Sequence, residues 1–361
     1  MISPPAFTLG YRPALDGVRA IAILAVLARH SGWLSGGYVG VDVFFALSGF
    51  LITALLLEEH ARTGTIRLRL FYARRGLRLL PALILFVAAC EVVQLATAPP
   101  EFRPLLMRQG AAVLLYVANL TWVVDLPMGL FTHAWSLAIE EQFYLLWPVT
   151  LMALLRVVRS RVAIMVLLLA GAGAVCVHRV TLGLRGGLLM RLYGGPDAHA
   201  DSLLIGCAVT LLLGWGALTR ATGAARTVVR VGGVVGVLTL VVVLTKATFP
   251  FHYVLYQVSA ITGLAAALMI IDVCVPGSWL ARGLEQPALV GLGRISYGVY
   301  LWHFPIFVWL GALSVNGEVH PLGTVLSAWA VTLAVAVASY YVVERPALTL
   351  KQHYAAPREA S

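Results

Sequence analysis

Charged side chains are scarce in this sequence. They make up 12% of the 361 residues, about half the share usual in soluble domains, whereas hydrophobic residues make up 60%. A soluble chain of this size has to wet most of its surface and could not bury so much apolar area. The scarcity of charge therefore argues against an ordinary soluble domain and predicts an integral membrane protein.

Cysteines are also few, and they follow no pattern. They lie in or beside apolar runs, without the spacing of a disulfide framework or a metal site, so we interpret them as small packing residues. The four are Cys90, Cys176, Cys207 and Cys274.

The features of a cleavable signal peptide are missing too. The first apolar segment has Arg29 and His30 near its end and no A-x-A-like site, which predicts a retained helix.

Long apolar runs dominate the sequence. A membrane-spanning helix needs about 20 mostly apolar residues, and many segments approach that length. We predict an all-α, polytopic transmembrane helical bundle of about ten spans, with the stretch 108–124 as a re-entrant or interfacial segment. The ten predicted spans are roughly 15–33, 40–58, 80–98, 134–155, 162–179, 201–216, 231–246, 254–273, 288–311 and 322–343.

The net charge of +10 lies in loops between these runs, so it indicates topology rather than nucleic-acid binding. With the N-terminus in the cytoplasm and 108–124 outside, 19 of the 26 Arg and Lys residues fall inside and 7 outside. If 108–124 spans instead, this bias collapses. We predict a single membrane domain over 1–361, with a core at 10–346, a cytoplasmic tail at 347–361 and both termini inside.

Arg19 and His30 are two of the polar residues in the first span. A charge at mid-membrane costs about 2.5–3.5 kcal/mol on insertion scales, so each calls for a reason. Arg19 and His30 are eleven residues apart, which puts them on one helix face about 16 Å apart, with His30 deep or toward the outer side. They are either a snorkelling arginine and a hydrogen-bonded histidine, or a functional pair in which His30 is a general base.

The fourth span contains a polar stripe. It reads HAWSLAIEEQFYLLWP, and residues at steps of three or four share one side of a helix. The stripe consists of His133, Ser136, Glu140, Tyr144 and Trp147, with Glu141 beside it. Glu140 is expected to face the bundle interior and bond a histidine, an arginine or an acceptor hydroxyl, unless it forms a structural ion pair.

Arginines crowd the loop after the second span, RTGTIRLRLFYARRGLRLLP. Most of them are accounted for as topology anchors. Arg75 and Arg78, however, are three residues apart at a probable helix start, and together with Arg74 they could grip a phosphate group. Coenzyme A carries phosphates of this kind and is cytoplasmic.

Other polar residues give weaker signals. Ser48 could be a nucleophile, but packing beside Gly49, where small residues let helices approach closely, is the better interpretation. His303 is either a second polar pore residue or a satisfied core histidine. The spacing of Asp197, His199 and Asp201 could suggest a metal site. We disfavour this, because alternate helix positions do not share a face, and we predict no metal.

Seven segments together resemble the membrane acyltransferase-3 family, which includes bacterial O-antigen and peptidoglycan O-acetylases and macrolide acyltransferases. The resemblance runs from Leu15 to Pro346. The segments are LDGVRAIAILAVLARH, GVDVFFALSGFLIT, FYARRGLRLLPA, HAWSLAIEEQFYLLWP, DSLLIGC, ISYGVYLWHFP and VERP.

The resemblance implies an enzyme of the bacterial inner membrane. It would move an acyl group, expected to be acetyl, from cytoplasmic acyl-CoA to a hydroxyl of a sugar, glycan or macrolide-type acceptor. The implied catalytic residues are His30, Glu140 and Arg19, and His30 either acts as base on the acceptor hydroxyl or accepts the acyl group first. The implied donor-binding residues are Arg74, Arg75 and Arg78.

Two departures from the family pattern stand out. His199 occupies a position where relatives often have arginine, which puts any contact made there in doubt. The esterase-like domain that some relatives append is missing, so onward transfer by such a domain is expected to need a separate protein.

The rival functional class is a transporter or flippase of a polar or lipid-linked substrate. The lack of an internal repeat weakens that alternative, and a purely structural scaffold would have no use for buried charge.

Overall fold

The fold is a bundle of helices. The structure, a computed structural model, describes residues 9–123, 126–186, 189–214, 216, 218, 222–248, 257–315 and 317–350, and within these ranges there is no strand. The helices are α1 Pro13–His30, α2 Gly40–Thr63, α3 Leu68–Thr97, α4 Arg103–Leu114, α5 Trp135–Val157, α6 Arg161–Leu184, α7 Leu189–Gly194, α8 Asp201–Gly214, α9 Gly223–Lys246, α10 Val258–Cys274, α11 Trp279–Leu284, α12 Pro287–Arg294, α13 Ser296–Trp309, α14 Leu322–Ser339 and α15 Arg345–Leu350.

The all-α prediction is confirmed, and each of the ten predicted spans contains helix. Within the described residues, five helical stretches are long and apolar enough to cross a membrane by length and composition. They are Ser35–Thr63, Leu68–Thr97, Arg161–Leu184, Gly223–Lys246 and Leu322–Leu350. The count of ten crossings therefore stays a prediction.

Two predicted segments differ from continuous helices. The predicted span 288–311 is two helices, α12 and α13, which meet at Ile295. The leftover stretch 108–124 holds the end of α4 and a separate 3-10 turn, Leu120–Val123. The predicted tail begins in helix, since α15 runs to Leu350, and residues 351–361 lie outside the described part of the chain.

Helices differ in how much apolar surface they leave outside. Large apolar side chains are exposed on α3, α6 and α9, for example Val92 at 69%, Val177 at 68% and Val228 at 70%. Most residues of α1, α2, α8 and α10 are buried. An exposed apolar belt around a buried centre is what a bilayer-embedded bundle requires, because lipid solvates the outer side chains.

Glycines bring α2 and α8 into close contact. A Cβ on Gly49 would lie 2.0 Å from the Leu203 carbonyl oxygen, and one on Gly206 would lie 2.0 Å from that of Ala46. Both distances are far inside van der Waals contact, so these two backbones touch only because both positions lack a side chain. The predicted close approach at Gly49 is confirmed, and it fixes the position of Ser48 one residue earlier.

Candidate active site

A cavity of about 350 Å³ opens between α1, α2, α3, α5 and the α12–α13 region. Four of the six predicted site residues line it, namely Arg19, Arg75, Arg78 and Glu140. In all, five arginines and three carboxylates lie in its wall, the additional ones being Arg12, Arg294, Asp16 and Glu141. The formal balance is positive, so the cavity suits an anionic ligand.

Two carboxylates and an aromatic ring hold Arg75 in the cavity wall. Its Nε and Nη2 donate to Glu141 Oε1 at 3.2 and 2.9 Å, and Nη2 lies 3.6 Å from Glu140 Oε1. Its guanidinium stacks over the Tyr144 ring, 3.5 Å from the centroid. Two carboxylates and one aromatic face thus set the orientation of one cation, an arrangement that arginine's planar fork favours.

Glu140 joins α5 to α2. One of its carboxylate oxygens accepts hydrogen bonds from the hydroxyls of Ser48 and Tyr144. Its side chain is 20% exposed, which leaves part of it open to the cavity. Ser48 therefore does more than pack between helices: it holds the carboxylate that the sequence singled out.

The predicted stripe on α5 contacts several neighbours. The Tyr144 ring lies under the guanidinium of Arg75 on α3, and Trp147 Nε1 donates to Thr53 Oγ1 of α2 at 2.9 Å. Ser136, at the start of α5, instead lies 2.6 Å from the hydroxyl of Tyr300 on α13. The residues of the stripe therefore serve different contacts, because several helices pack along its length.

Arg19 and Arg78 have fewer protein partners than Arg75. Arg19 Nη1 bonds Asp16 Oδ1 at 3.2 Å, one turn earlier on α1. Arg78 is exposed in the cavity, and no hydrogen bond or ion pair joins it to another described residue. Since a guanidinium carries five N–H donors, Arg78 has the free donor capacity to bind an anion that enters.

Arg74 does not line the cavity. Its Nη2 lies 3.5 Å from Glu59 Oε2 near the end of α2. Neighbouring helix positions differ by about 100°, so Arg74 and Arg75 point to different partners although they are adjacent in sequence. The structure therefore brings together only two of the three arginines that the sequence grouped.

His30 lies apart from the cavity, at the other end of α1 from Arg19. It is half-buried, and its Nδ1 lies 3.1 Å from Nε2 of His303. The contacts of Glu140 within the described residues do not include His30, so the two predicted catalytic groups do not meet directly. The link between them runs through α13, because His303 Nδ1 bonds the Tyr300 carbonyl oxygen at 2.6 Å and Tyr300 lines the cavity.

A barrier of polar contacts separates the cavity from the histidines. The Tyr300 hydroxyl donates to the His133 carbonyl oxygen at 2.8 Å and contacts Ser136 at 2.6 Å. Tyr300 and Ser136 line the cavity, whereas His30, His133 and His303 do not. Sequence reasoning left the role of His303 open and missed Tyr300, although tyrosine three residues before histidine puts both on one helix side.

The suggested metal triad is dispersed. Fully buried His199 bonds fully buried Asp42 at 2.8 Å, and Asp201 pairs with Arg179 at 2.8 Å, again with both side chains fully buried. Asp197 is half-exposed and accepts from Arg191. The three side chains therefore have three different partners, and they tie α2, α6 and α8 together rather than converge on one point.

The chain is similar to known acyltransferases. A family model described as an acyltransferase domain matches residues 12–343. O-acetyltransferase OatA of Staphylococcus aureus (strain NCTC 8325 / PS 47) is 32% identical to it, in an alignment that covers 93% of this chain and 57% of that protein. The putative O-acetyltransferase SAS0844 of S. aureus strain MSSA476 is 32% identical with the same coverage. The chain thus spans a little more than half the length of these relatives.

No solved structure matches the chain. The family match, however, extends from the start of α1 to the π-helical turn Tyr340–Glu344 and so includes every residue that lines the cavity from Arg12 onward. The transporter or flippase alternative is not favoured by any of these comparisons. The chain belongs to the acyltransferase-3 family.

Proposed function

We propose that the protein transfers an acetyl group from acetyl-CoA, entering from the cytoplasmic side of a bacterial inner membrane, to a hydroxyl of a sugar, glycan or macrolide-type acceptor. The observation that carries the donor assignment is the cavity with a net positive lining, in which Arg78 keeps its donors free. The choice of acetyl follows the O-acetyltransferase names of the relatives.

In this proposal Arg75 and Arg78 bind the phosphates of the donor, and Arg19 supplies further positive charge along the path of its pantetheine arm. Glu140 holds Arg75 in place together with Glu141. Arg74 receives no donor contact, because its partner is Glu59 outside the cavity. A guanidinium fixed by carboxylates before the ligand arrives loses little freedom on binding, which favours affinity.

His30 is the proposed general base. The acceptor oxygen attacks the thioester carbon, so that the O–C bond forms and the C–S bond breaks. The hydroxyl proton moves to His30, the sulfur leaves as thiolate, and the proton then passes from His30 to that thiolate. Because Tyr300 and Ser136 lie between cavity and histidines, the arm has to part their contact to bring its thioester to His30.

Release of CoA from acetyl-CoA by the purified protein in nanodiscs tests the proposal. A thiol reagent follows the release, first with water as acceptor and then with glycan fragments or a macrolide added. We expect turnover that an acceptor stimulates and that His30→Ala lowers by about 10²-fold or more, as for loss of a general base. Wild-type protein without any acetyl-CoA turnover would refute the donor, and full activity of His30→Ala would remove His30 from the chemistry.

Mass spectrometry identifies the acceptor class. Glycans and small metabolites are compared between cells that express the wild type and cells that express His30→Ala. A compound that carries one additional acetyl group only with the wild type is the product. Acetylation found on neither glycans nor macrolides would overturn the proposed acceptor class while leaving the donor assignment intact.

A further inference from the structure

Three histidines converge where α1 ends, on the far side of the Tyr300 barrier. We name His30, His133 and His303 the histidine cluster. The ring centroids of His30 and His303 are 5.0 Å apart, and those of His133 and His303 are 5.2 Å apart. The proposed function uses only His30, so the cluster raises the question of what the other two rings do.

The surroundings of His303 fix the position of its proton. The side chain is fully buried, and its Nδ1 lies 2.6 Å from the Tyr300 carbonyl oxygen. A carbonyl oxygen only accepts, so Nδ1 carries the hydrogen. No described carboxylate bonds this ring, and a buried cation without a partner is costly, so the ring is neutral. Its Nε2 is consequently a bare lone pair.

That lone pair points at His30. His303 Nε2 and His30 Nδ1 are 3.1 Å apart, and two bare nitrogens at this distance would repel each other. His30 Nδ1 therefore carries the hydrogen and donates it to His303. A neutral His30 then has its lone pair on Nε2.

We propose that His303 is a positioning residue that holds His30 in the Nδ1–H tautomer and so presents Nε2 as the proton acceptor. The inference rests on the proposed function, since it assigns His303 a role in the proton transfer at His30. His303 touches neither donor nor acceptor in this scheme. It determines which nitrogen of His30 takes the proton. Orienting groups do the same for catalytic histidines in other enzymes.

The third histidine leaves this arrangement undisturbed. His133 Nε2 lies 3.1 Å from the Leu301 carbonyl oxygen, so it donates there. The ring of Phe304 stacks on His133 at 5.0 Å and presents an edge to His30 at 5.4 Å. Aromatic packing thus fixes the planes of the rings, while the hydrogen bond from Nδ1 of His30 to Nε2 of His303 fixes the tautomer.

A matched pair of substitutions separates the hydrogen bond from packing. Glutamine and methionine are nearly equal in shape, but only the amide oxygen of glutamine can accept from His30 Nδ1 near the position of Nε2. We expect His303→Met to lower kcat for CoA release about tenfold or more with KM for acetyl-CoA unchanged. His303→Gln should recover most of that loss. His320→Met serves as a control, because its ring bonds the Leu313 carbonyl oxygen outside the cluster, and we expect wild-type rates.

Nitrogen-15 NMR of histidine-labelled wild-type protein in bilayers reads the tautomer directly, without any turnover assay. The signals that disappear in His30→Ala should come from a ring with protonated Nδ1 and bare Nε2. An Nε2–H tautomer in this spectrum, or equal kcat for His303→Met and wild type, would overturn the inference, as would equal losses for His303→Met and His303→Gln. If the wild type itself does not turn over acetyl-CoA, the proposed function fails while the NMR result still decides the tautomer.

Discussion

Arg78 offers the cleanest test of how the donor is bound. It faces the cavity, and no hydrogen bond or ion pair joins it to another described residue, so Arg78→Gln removes a cation without breaking such a contact; its buried charged neighbour, Glu344, interacts with it only at longer range. Arg75 is unsuitable for this purpose, because its removal would leave Glu140 and Glu141 without their counter-charge. Breaking such a buried pair costs about 3–5 kcal/mol and would confuse binding with folding.

The expected effect follows from the single contact that is lost. A charge-assisted hydrogen bond from arginine to phosphate contributes about 1.5–3 kcal/mol. Each 1.4 kcal/mol corresponds to a factor of ten in affinity. KM for acetyl-CoA should therefore rise about 10- to 150-fold in Arg78→Gln, while kcat stays close to wild type because the thioester itself is far from the phosphates.

Two comparisons make this measurement specific. Acetyl-pantetheine carries the thioester without the phosphates, so Arg78→Gln should leave its KM unchanged. Arg74→Gln is the matched control on the same helix, and because Arg74 pairs with Glu59 outside the cavity, its KM for acetyl-CoA should equal that of the wild type. The reasoning is refuted if Arg74→Gln weakens acetyl-CoA binding and Arg78→Gln does not, or if both donors lose affinity equally in Arg78→Gln.

Three further predictions concern the scaffold of the site. Arg179→Gln breaks an ion pair whose side chains are both fully buried, so it should destabilise the protein by about 3–5 kcal/mol. Arg191→Gln breaks a half-exposed pair and should cost less than about 1 kcal/mol. Thermal unfolding in nanodiscs compares the two variants, and equal shifts in unfolding temperature would contradict the burial argument. Gly49→Leu should prevent folding because the Cβ site is 2.0 Å from a backbone oxygen, while Gly173→Leu, which meets nothing within 4 Å, should give wild-type yields in size-exclusion chromatography. Ser48→Ala removes one hydroxyl from the Glu140 carboxylate that holds Arg75, so it should raise KM for acetyl-CoA about tenfold with kcat little changed; complete loss of activity would favour a serine nucleophile instead.

Helix periodicity explains what could be predicted from the sequence. Spacings of three and four residues correctly placed Glu140 and Tyr144 on one side of α5 and Arg75 and Arg78 at one cavity. The same rule applied to adjacent residues separates Arg74 from Arg75, and grouping all three arginines by composition alone was the weaker step. Local rules therefore suffice for residues whose neighbours lie on the same helix.

Contacts between distant helices could not be predicted in this way. His30 meets His303, which is 273 residues later, and Glu140 meets Ser48, 92 residues earlier. Periodicity specifies which side of a helix a residue occupies but not which helix packs against that side. Of the partners predicted for Glu140, a histidine, an arginine or an acceptor hydroxyl, the structure shows the arginine, with Arg75 Nη2 at 3.6 Å. Periodicity could not choose among these partners.

The span count depends on a related ambiguity. Helix α1 carries Asp16, Arg19 and Arg29 within 18 residues, so composition alone does not mark it as membrane-spanning although it is mostly buried. A helix that is shielded by other helices can keep its charges, because its neighbours and not lipid solvate it. Hydropathy is therefore least informative for the helices that carry the site.

The hydrogen bond between Ser136 and Tyr300 has a consequence for the energy balance of a cell. An enzyme whose donor pocket and proton acceptor lie toward opposite faces of a bilayer risks becoming a leak for ions down the electrochemical gradient. The side chains of Tyr300 and Ser136 hydrogen-bond to each other where the cavity comes nearest to the histidines. Under the proposed function, the thioester arm would replace this contact as it enters, so acetyl transfer would not require an open path for ions across the membrane.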